Sequence, residues 1–431
     1  MRDRIIAGID IGTSKIAAIV ASLKEEGELH VLGVATVDSK GLRKGQVVDI
    51  EDAIGAISPA IEGAERMAGS SISSAFINIG GNHISSQNSH GVVAVAEPER
   101  EISEADVARV VDAARAISLA SSRTVLHVLP RGFIVDGQEG IADPIGMTGV
   151  RLEVDTHLVT GGLTAVKNLQ KCVEEQGVSV EGLVFNGLAS AHAVLSDTEK
   201  ELGVVLIDIG GGTTDVAIFV EGALSYSAVI PIGAKNITND LAIGLRVSLE
   251  SAEKIKLHLS QKVKSPAVPD SGDTKTKAKS EDEVELGALD LSDDLKKVSR
   301  RTLIEGIIKP RLNEIFTMVG LEIKKSGFGG MTPSGVIICG GGAETVGIME
   351  AARKNLAMPV RIGMPTKISG LIDEIMSPSY ATSVGLLHYG AKIPSTSNQP
   401  QFFGKMGKLT GKLPVKGLLG KVIDALKPFL P

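Results

Sequence analysis

The sequence predicts an α/β fold made of two similar halves, with a ligand cleft between them. The run IIAGIDIGTSKIAAIV near the start has the same plan as VVLIDIGGGTTDVAIFV, which begins at residue 204. Each is an apolar strand, an Asp-Ile-Gly sequence, small hydroxyl residues and a second apolar strand. Strand-like runs then alternate with helical periodicity in both halves. Such a repeat indicates an internal duplication with one polar hairpin per half.

The first half opens with a hairpin at residues 4–20, because an apolar run, IAAIV, follows the Gly-Thr-Ser turn directly. A helix would stand there in a Rossmann or Walker site. Apolar residues at helical spacing predict a helix over 52–67, and AFINIGG at 75–81 is a further strand.

Residues 83–162 predict a small inserted α+β module. A strand-rich start, SSQNSHGVVAVA, leads to a helix over 103–117 whose first turn Ser103 can cap. The segments TVLHVLPRGFIVDGQ and GVRLEVDTHLVTGG are both strand-like.

The α/β pattern resumes after the module with a helix over Val166–Gln176, the strand VEGLVFN and the helix GLASAHAVL. Residues 261–300 are rich in Lys, Asp, Ser, Pro and Glu, so a solvated loop is expected, most flexible over about 261–282. An amphipathic helix over 301–325 follows. The strand GVIICGGGA, a helix and the final helix YATSVGLLHYG complete the body.

The composition excludes several classes of function. The chain of 431 residues carries a net charge of −6, and 3% of its residues are aromatic, with no Trp. Few stacking platforms and no basic stripe argue against a nucleic-acid partner. Cys172 and Cys339 lie far apart in apolar runs, which predicts buried thiols and no zinc site. We expect a cytoplasmic body, since no signal peptide precedes the first strand and no apolar run reaches the roughly 18 residues of a membrane span.

The two hairpins have the chemistry of phosphate-binding loops. Small residues expose successive backbone N–H groups and let the backbone approach an anion closely. Asp10 and Asp208 each end an apolar strand, and two facing carboxylates would hold a hydrated Mg²⁺ through water. The residues predicted to surround the phosphates are Gly12, Thr13, Ser14, Lys15, Gly210, Gly211, Gly212, Thr213 and Thr214.

These segments resemble the ATPase superfamily of actin, heat-shock chaperones and sugar kinases. DIGTSK and DIGGGTTD match its two phosphate motifs, and VIICGGGA matches its adenosine motif. The resemblance implies a duplicated actin-like fold that binds ATP, with Gly340, Gly341 and Gly342 against the nucleoside. Glu253 and Lys256 match the pair that this superfamily places around ribose and adenine. They lie one helical turn apart, and a solvated ion pair is the alternative interpretation.

One departure from the superfamily bears on turnover. Its chaperone ATPases carry a water-positioning carboxylate on the helix that matches FNGLASAHAVL. Aligned on Asn186, that position is Gly187 here, and no other acid lies in this segment, since Glu181 is on the wrong side of the strand and Asp197 is beyond the helix. Hydrolysis is therefore expected to be weak or absent.

Two stretches select a family within the superfamily. Residues 126–162 and SRRTLIEGIIKPRLNEIF at 299–316 resemble the FtsA family of bacterial division proteins. The resemblance implies head-to-tail polymers, recruitment of other division proteins, and binding of the tubulin-like FtsZ through subdomain IIB, with Arg300, Arg301 and Arg311 nearby. It implies subdomains IA (1–82 and 163–198), IC (83–162), IIA (199–228 and 302–392) and IIB (229–301).

The C-terminus predicts attachment to an anionic membrane surface. Residues 393–412 are a linker rich in Pro, Ser and Gly, and 413–431 have apolar residues on one helical face. From 401 to 431 there are six lysines against one aspartate, a local charge of +5. A helix folded back onto the body is the alternative. The predicted membrane residues are Leu418, Leu419, Lys421, Val422, Ile423, Leu426, Lys427, Phe429 and Leu430.

Two other functions fit the hairpins less well. An adaptor of the pilus-assembly type shares the extra subdomain but normally lacks an amphipathic tail. A small-molecule kinase would need a catalytic Asp above a substrate cleft, and we find no candidate apart from the two aspartates predicted to hold Mg²⁺. The preferred prediction is a polymer-forming ATP-binding protein that lies on the inner face of the cell membrane at the division site.

Overall fold

Strands and helices alternate along the chain largely as the hydrophobic pattern predicts. The structure is a computed structural model, and it describes residues 4–24, 27–95, 101–261, 283–285, 297–371 and 373–393. Its strands are β1 (Arg4–Ile11), β2 (Lys15–Leu23), β3 (Leu29–Asp38), β4 (Leu42–Arg43), β5 (Gln46–Val47), β6 (Ser74–Ile79), β7 (Ser85–Ala94), β8 (Arg123–Val135), β9 (Gln138–Ile141), β10 (Arg151–Gly162), β11 (Ser179–Phe185), β12 (Val204–Ile209), β13 (Thr214–Val220), β14 (Ala223–Ile230), β15 (Glu283–Glu285), β16 (Lys297–Ser299), β17 (Val336–Cys339), β18 (Val360–Ile362) and β19 (Ile368–Gly370).

The helices carry the apolar faces that cover the sheets. They are α1 (Ile50–Ala68), α2 (Glu104–Arg115), α3 (Leu163–Glu174), α4 (Asn186–Val194), α5 (Asp197–Leu202), α6 (Ala234–Leu245), α7 (Leu249–Ser260), α8 (Arg300–Leu303), α9 (Lys309–Ser326), α10 (Ile348–Leu356) and α11 (Ala381–Lys392).

The two halves share a five-stranded topology, to which the first sheet adds β19 at one edge. The first sheet has the order β11-β6-β1-β2-β3-β19 and the second β18-β17-β12-β13-β14. In each, two antiparallel pairings join three consecutive strands, and the first of these also pairs in parallel with a strand from later in the chain. β12 and β13 are buried along their whole length, as expected for strands covered on both faces. The predicted duplication is confirmed.

The inserted module forms a sheet of its own, in the order β7-β10-β8-β9. α2 packs on it around a core that includes Val110, Phe133 and Leu152. Ser103 caps α2 as predicted, and the Asp106 carboxylate accepts the Ser103 backbone N–H in return.

Two helices cross behind the cleft and bring residues of both halves together. α4 follows the first sheet and α11 ends the body, and the two pack closely. A Cβ on Gly385 would lie 1.9 Å from the Ala189 carbonyl oxygen, so only glycine permits this approach. Ser190 on α4 and Thr382 on α11 contact Asp208 near the end of β12. Ser383 on α11 contacts Asp10 near the end of β1.

Some elements differ from the prediction. The helix expected over 301–325 is α8, a π-helical turn at Ile304–Ile308 and α9. β3, β14 and α6 had no sequence assignment. The loop predicted at 261–282, the linker and the C-terminal helix lie outside the described residues, apart from Gln261 and Ile393. Among the described helices, none is long and apolar enough to cross a membrane.

Candidate functional site

The two hairpins face each other across a cleft between the halves. Each turn is closed by one backbone hydrogen bond, from Gly12 N to Lys15 O at 3.0 Å and from Gly210 N to Thr213 O at 2.9 Å. The cleft has a cavity volume of about 240 Å³, many times the space that one water molecule needs. The predicted residues that line it are Asp10, Gly12, Thr13, Ser14, Lys15, Asp208, Gly210, Gly211, Thr213, Glu253, Lys256, Gly340, Gly341 and Gly342.

The hairpin tips are in direct contact. A Cβ on Gly211 would lie 2.0 Å from Ser14 Oγ, so the second tip has room only for a glycine while Ser14 keeps this position. The Lys235 ammonium on α6 donates to the Thr13 carbonyl oxygen at 2.8 Å and links the two halves beside the tips. These contacts define a closed arrangement of the cleft.

Asp10 is held by two side-chain donors from distant parts of the chain. Asn78 Nδ2 donates to its Oδ1 at 2.8 Å, and Ser383 Oγ donates to its Oδ2 at 2.7 Å. Burial raises the pKa of Asp10 to about 6, although the Ser383 hydrogen bond and Lys15 oppose this shift.

Asp208 has matching surroundings in the second half. Ser190 Oγ on α4 and Thr382 Oγ1 on α11 both donate to its Oδ2, the latter at 2.9 Å. Burial raises the pKa of Asp208, with the two hydroxyl hydrogen bonds acting in the opposite direction. A divalent cation would favour the ionised forms of both carboxylates, so this donor set fits hydrated Mg²⁺.

A third carboxylate, which the sequence analysis missed, lines the same cleft. Asp215 pairs directly with Asp208 across β12 and β13. Its Oδ2 accepts from Asn186 Nδ2 at 3.3 Å, whereas its Oδ1 is buried and has no hydrogen-bond partner in the described structure. Burial and Asp208 raise its pKa well above the usual value. The expectation that no candidate Asp exists apart from Asp10 and Asp208 is therefore wrong; the final Asp of DIGGGTTD was the available signal.

The far end of the cleft is formed by α7 and the loop after β17. Lys256 Nζ lies 2.7 Å from Glu253 Oε2, and both groups share a hydrogen bond with the Thr238 hydroxyl. Lys256 is buried, whereas the Glu253 side chain is 41% exposed, so the predicted solvated ion pair is solvated only at the glutamate. Gly340 has a φ of +80°, and a Cβ there would lie 2.2 Å from Asp208 Oδ1. Only glycine at position 340 lets the loop after β17 lie this close to Asp208.

Two predicted phosphate residues do not line the cleft. Thr214 begins β13 with its side chain turned away, because its hydroxyl donates to the Ile232 carbonyl oxygen at 2.8 Å. Gly212 packs instead against Thr13 and Lys44. A Cβ added at Gly212 would lie 3.0 Å from the Thr13 side chain and 3.1 Å from Lys44 Cα.

Gly187, the position aligned with the water-positioning acid, lies among apolar side chains. A Cβ there would lie 2.8 Å from the Phe185 ring and 3.1 Å from Ala217, while the neighbouring Asn186 lines the cleft. Position 187 therefore packs against apolar side chains, and its lack of an acid says little about turnover.

Both predicted thiols are buried and free. Burial and Asp208 raise the pKa of Cys339 well above its usual value, so this thiol stays protonated beside the carboxylate.

Comparison with known proteins supplies the family. The model described as "SHS2 domain inserted in FTSA" matches residues 81–160, and "Cell division protein FtsA" matches 205–385. The FtsA protein of Pseudomonas aeruginosa is 43% identical over 394 residues, covering 90% of this chain and 89% of that protein. The chain belongs to the FtsA family of cell division proteins. FtsA of Bacillus subtilis is 37% identical over 390 residues, covering 90% of this chain and 84% of that protein.

Solved structures agree on the fold of this FtsA-family chain. A chain of the PilM-PilN type IV pilus biogenesis complex superposes with a TM-score of 0.61 at 14% identity, over 90% of this chain and 99% of that one. EutJ, an ethanolamine utilization protein from Carboxydothermus hydrogenoformans, superposes with a TM-score of 0.52 at 17% identity, over 90% of this chain and 91% of that one. With the duplicated sheets and the inserted module, the predicted actin-like fold is confirmed, and the FtsA family makes it a cell division protein.

Proposed function

We propose that this FtsA-family chain binds Mg-ATP in the cleft, polymerises at the inner face of the cell membrane and tethers FtsZ filaments there. The observation that carries the nucleotide part is the pair of hairpins that meet over three buried carboxylates. Backbone N–H groups beside Lys15 suit phosphates, and the carboxylates suit the metal that accompanies them.

Each group has a role in this proposal. The hairpins bind the phosphates, Asp10 and Asp208 hold the waters of Mg²⁺, and Glu253, Lys256 and the glycines at 340–342 bind the nucleoside. Bound Mg²⁺ would neutralise phosphate charge. Asp215 has a free oxygen in the same cleft and is our candidate for orienting water, so we propose slow turnover rather than none.

Asp208→Ala tests the nucleotide site. We expect at least a tenfold loss of Mg-ATP affinity by calorimetry, because the metal loses one of its two supports. Asp197→Ala, at an exposed residue outside the cleft, should bind like wild type. Equal affinity in Asp208→Ala and wild type would refute this placement of the metal.

Membrane attachment rests on the sequence of residues 413–431, which lie outside the described structure. A short basic amphipathic helix binds weakly alone, and several copies in one polymer would bind by avidity. Deleting 413–431 should release the protein from liposomes containing anionic lipid while ATP binding persists. Unchanged sedimentation with those liposomes would contradict the membrane proposal.

The remaining parts follow from family membership and the sequence. We propose the subdomain division given above, head-to-tail polymers, FtsZ binding through subdomain IIB and contacts with other division proteins. Of the three arginines considered for FtsZ, Arg311 already binds Asp240 at 2.6 and 2.8 Å. The sequence identity to FtsA proteins favours this function over the pilus-assembly and kinase alternatives, whereas the likeness to the PilM-PilN chain concerns the fold alone.

A further inference from the structure

The short hairpin of β4 and β5 has an unusual residue at its turn. Lys44 and Gly45 have φ values of 50° and 73° and lie between the paired residues Arg43 and Gln46. A two-residue turn with both central φ values positive is of type I′, for which Asn-Gly is the preferred sequence. A lysine in the left-handed region is strained, and such strain concentrates at functional sites. Something other than turn geometry is therefore expected to account for Lys44.

The turn lies where the two phosphate hairpins meet. Gly45 lines the cleft, and its N–H donates to Thr13 Oγ1 at 3.1 Å. On the other side, Lys44 Cα lies 3.1 Å from where a Cβ on Gly212 would be. The turn thus contacts the first hairpin through Gly45 and the second through the Lys44 backbone. This position depends on the closed arrangement of the halves.

The Lys44 ammonium is available for a ligand. Its side chain is exposed and takes part in no ion pair or hydrogen bond within the described ranges. Other lysines near the cleft already have partners. Lys15 donates to Ser379 Oγ at 3.2 Å and lies over the Tyr380 ring, and Lys235 binds Thr13.

We propose that Lys44 is a sensor of the terminal phosphate of ATP, an inference that rests on the proposed nucleotide site. A flexible four-carbon stem on a turn beside both hairpin tips lets the ammonium reach an anion held between them. The terminal phosphate adds negative charge at this end of the cleft, whereas ADP lacks it. Lys44 therefore favours ATP over ADP and joins both halves to the bound phosphate.

Lys44→Asn separates this role from a structural one, because asparagine suits the turn better than lysine does. Calorimetry on the full chain with Mg-ATP and with Mg-ADP measures the preference. We expect ATP affinity to fall about tenfold, the usual effect of one charged hydrogen bond, and ADP affinity to change less than twofold. The thermal midpoint without nucleotide should be equal or higher.

Two further variants complete the test. Lys44→Arg keeps the positive charge and should retain most of the ATP preference. Lys24→Asn removes an exposed lysine just after the far end of β2 and should bind both nucleotides like wild type. Equal losses for ATP and ADP in Lys44→Asn, or no loss for either, would overturn the assignment while leaving the nucleotide site intact. Wild-type protein that binds neither nucleotide would overturn both proposals.

Discussion

The two halves share one strand order but place different chemistry at matching positions of the cleft. By hairpin register, Lys15 of the first half corresponds to Thr213 of the second, and Ala17 corresponds to Asp215. The first hairpin thus supplies a half-buried cation, and the second supplies an additional carboxylate. A duplicated backbone therefore gives two similar anion-binding turns, and a few side chains make the site asymmetric, as a ligand with a charged end and an uncharged end requires.

The strands beside the hairpins continue this difference. Asn78 on β6 and Cys339 on β17 occupy matching places next to Asp10 and Asp208. Asn78 donates to Asp10, whereas Asp208 depends on the hydroxyl groups of Ser190 and Thr382 from α4 and α11. The second carboxylate is therefore positioned by helices that cross between the halves.

The largest loss of stability is expected at a position where the backbone conformation of the second half requires glycine. The residue after Asn78 in the first half is Ile79, and the residue after Cys339 in the second half is Gly340. Gly340→Ala puts a Cβ 2.2 Å from Asp208 Oδ1 and 2.6 Å from Ile209 O at a φ of +80°. We expect a loss of about 3 kcal/mol in the free energy of unfolding by urea titration.

Gly341→Ala is the matched control, because its nearest neighbour would be the Ser379 Cβ at 3.8 Å. It should cost less than about 1 kcal/mol. A loss in Gly340→Ala as small as that expected for Gly341→Ala would show that the second half tolerates a side chain at Gly340, as the first half does at the matching position.

A smaller, pH-dependent effect is expected at the outer strands. β3 pairs with β19, but β14 meets the inserted module, where His157 Nε2 lies 2.9 Å from Ser227 Oγ. Burial, with Arg131 nearby, lowers the pKa of His157 from 6.5 to about 3. The unfolded chain takes up the proton first as pH falls, so stability is lost from about pH 6.5 downward.

His157→Gln should remove this acid sensitivity. When the pH falls from 7.5 to 5, the free energy of unfolding of wild type, measured by urea titration, should drop by about 2 kcal/mol more than that of the variant. Each pKa unit of difference between the folded and unfolded states is worth about 1.4 kcal/mol. His90→Gln on the same sheet is the control. Asp155 raises the pKa of exposed His90, so the change there should be small and of opposite sign. Parallel pH profiles for wild type and His157→Gln would contradict a neutral buried His157.

The smallest effect concerns the acid that only the second half carries. Asp215→Asn removes a buried carboxyl group with an unpartnered oxygen, so the protein without nucleotide should be stabilised by about 1 kcal/mol. Differential scanning calorimetry would show a higher midpoint of thermal unfolding for Asp215→Asn than for wild type. Asp112→Asn, at an exposed helix position, should leave this midpoint unchanged. A lower midpoint in Asp215→Asn would mean that its hydrogen bond from Asn186 outweighs the cost of burial.

Much of the site was predictable because it is local in sequence. Each hairpin places its strand, turn and carboxylate within about a dozen residues, so Asp10, Lys15 and Asp208 were found from pattern alone. Ser190, Ser379, Thr382 and Ser383 were not, because an isolated hydroxyl on a helix gives no sign of a carboxylate that lies far away in the chain. For Gly187 the alignment predicted a position along α4 but not the direction in which that position faces.

The sequence by itself determined the duplication, the inserted module and the acidic hairpins, since apolar periodicity and turn chemistry are properties of neighbouring residues. Only the tertiary structure decided that Asp215 joins the cleft and that Thr214 leaves it, although the two are adjacent. Successive residues of a strand point to opposite faces, and which face meets the cleft depends on how β13 pairs and packs. It also decided where Lys44 lies, because that turn is placed by both halves together.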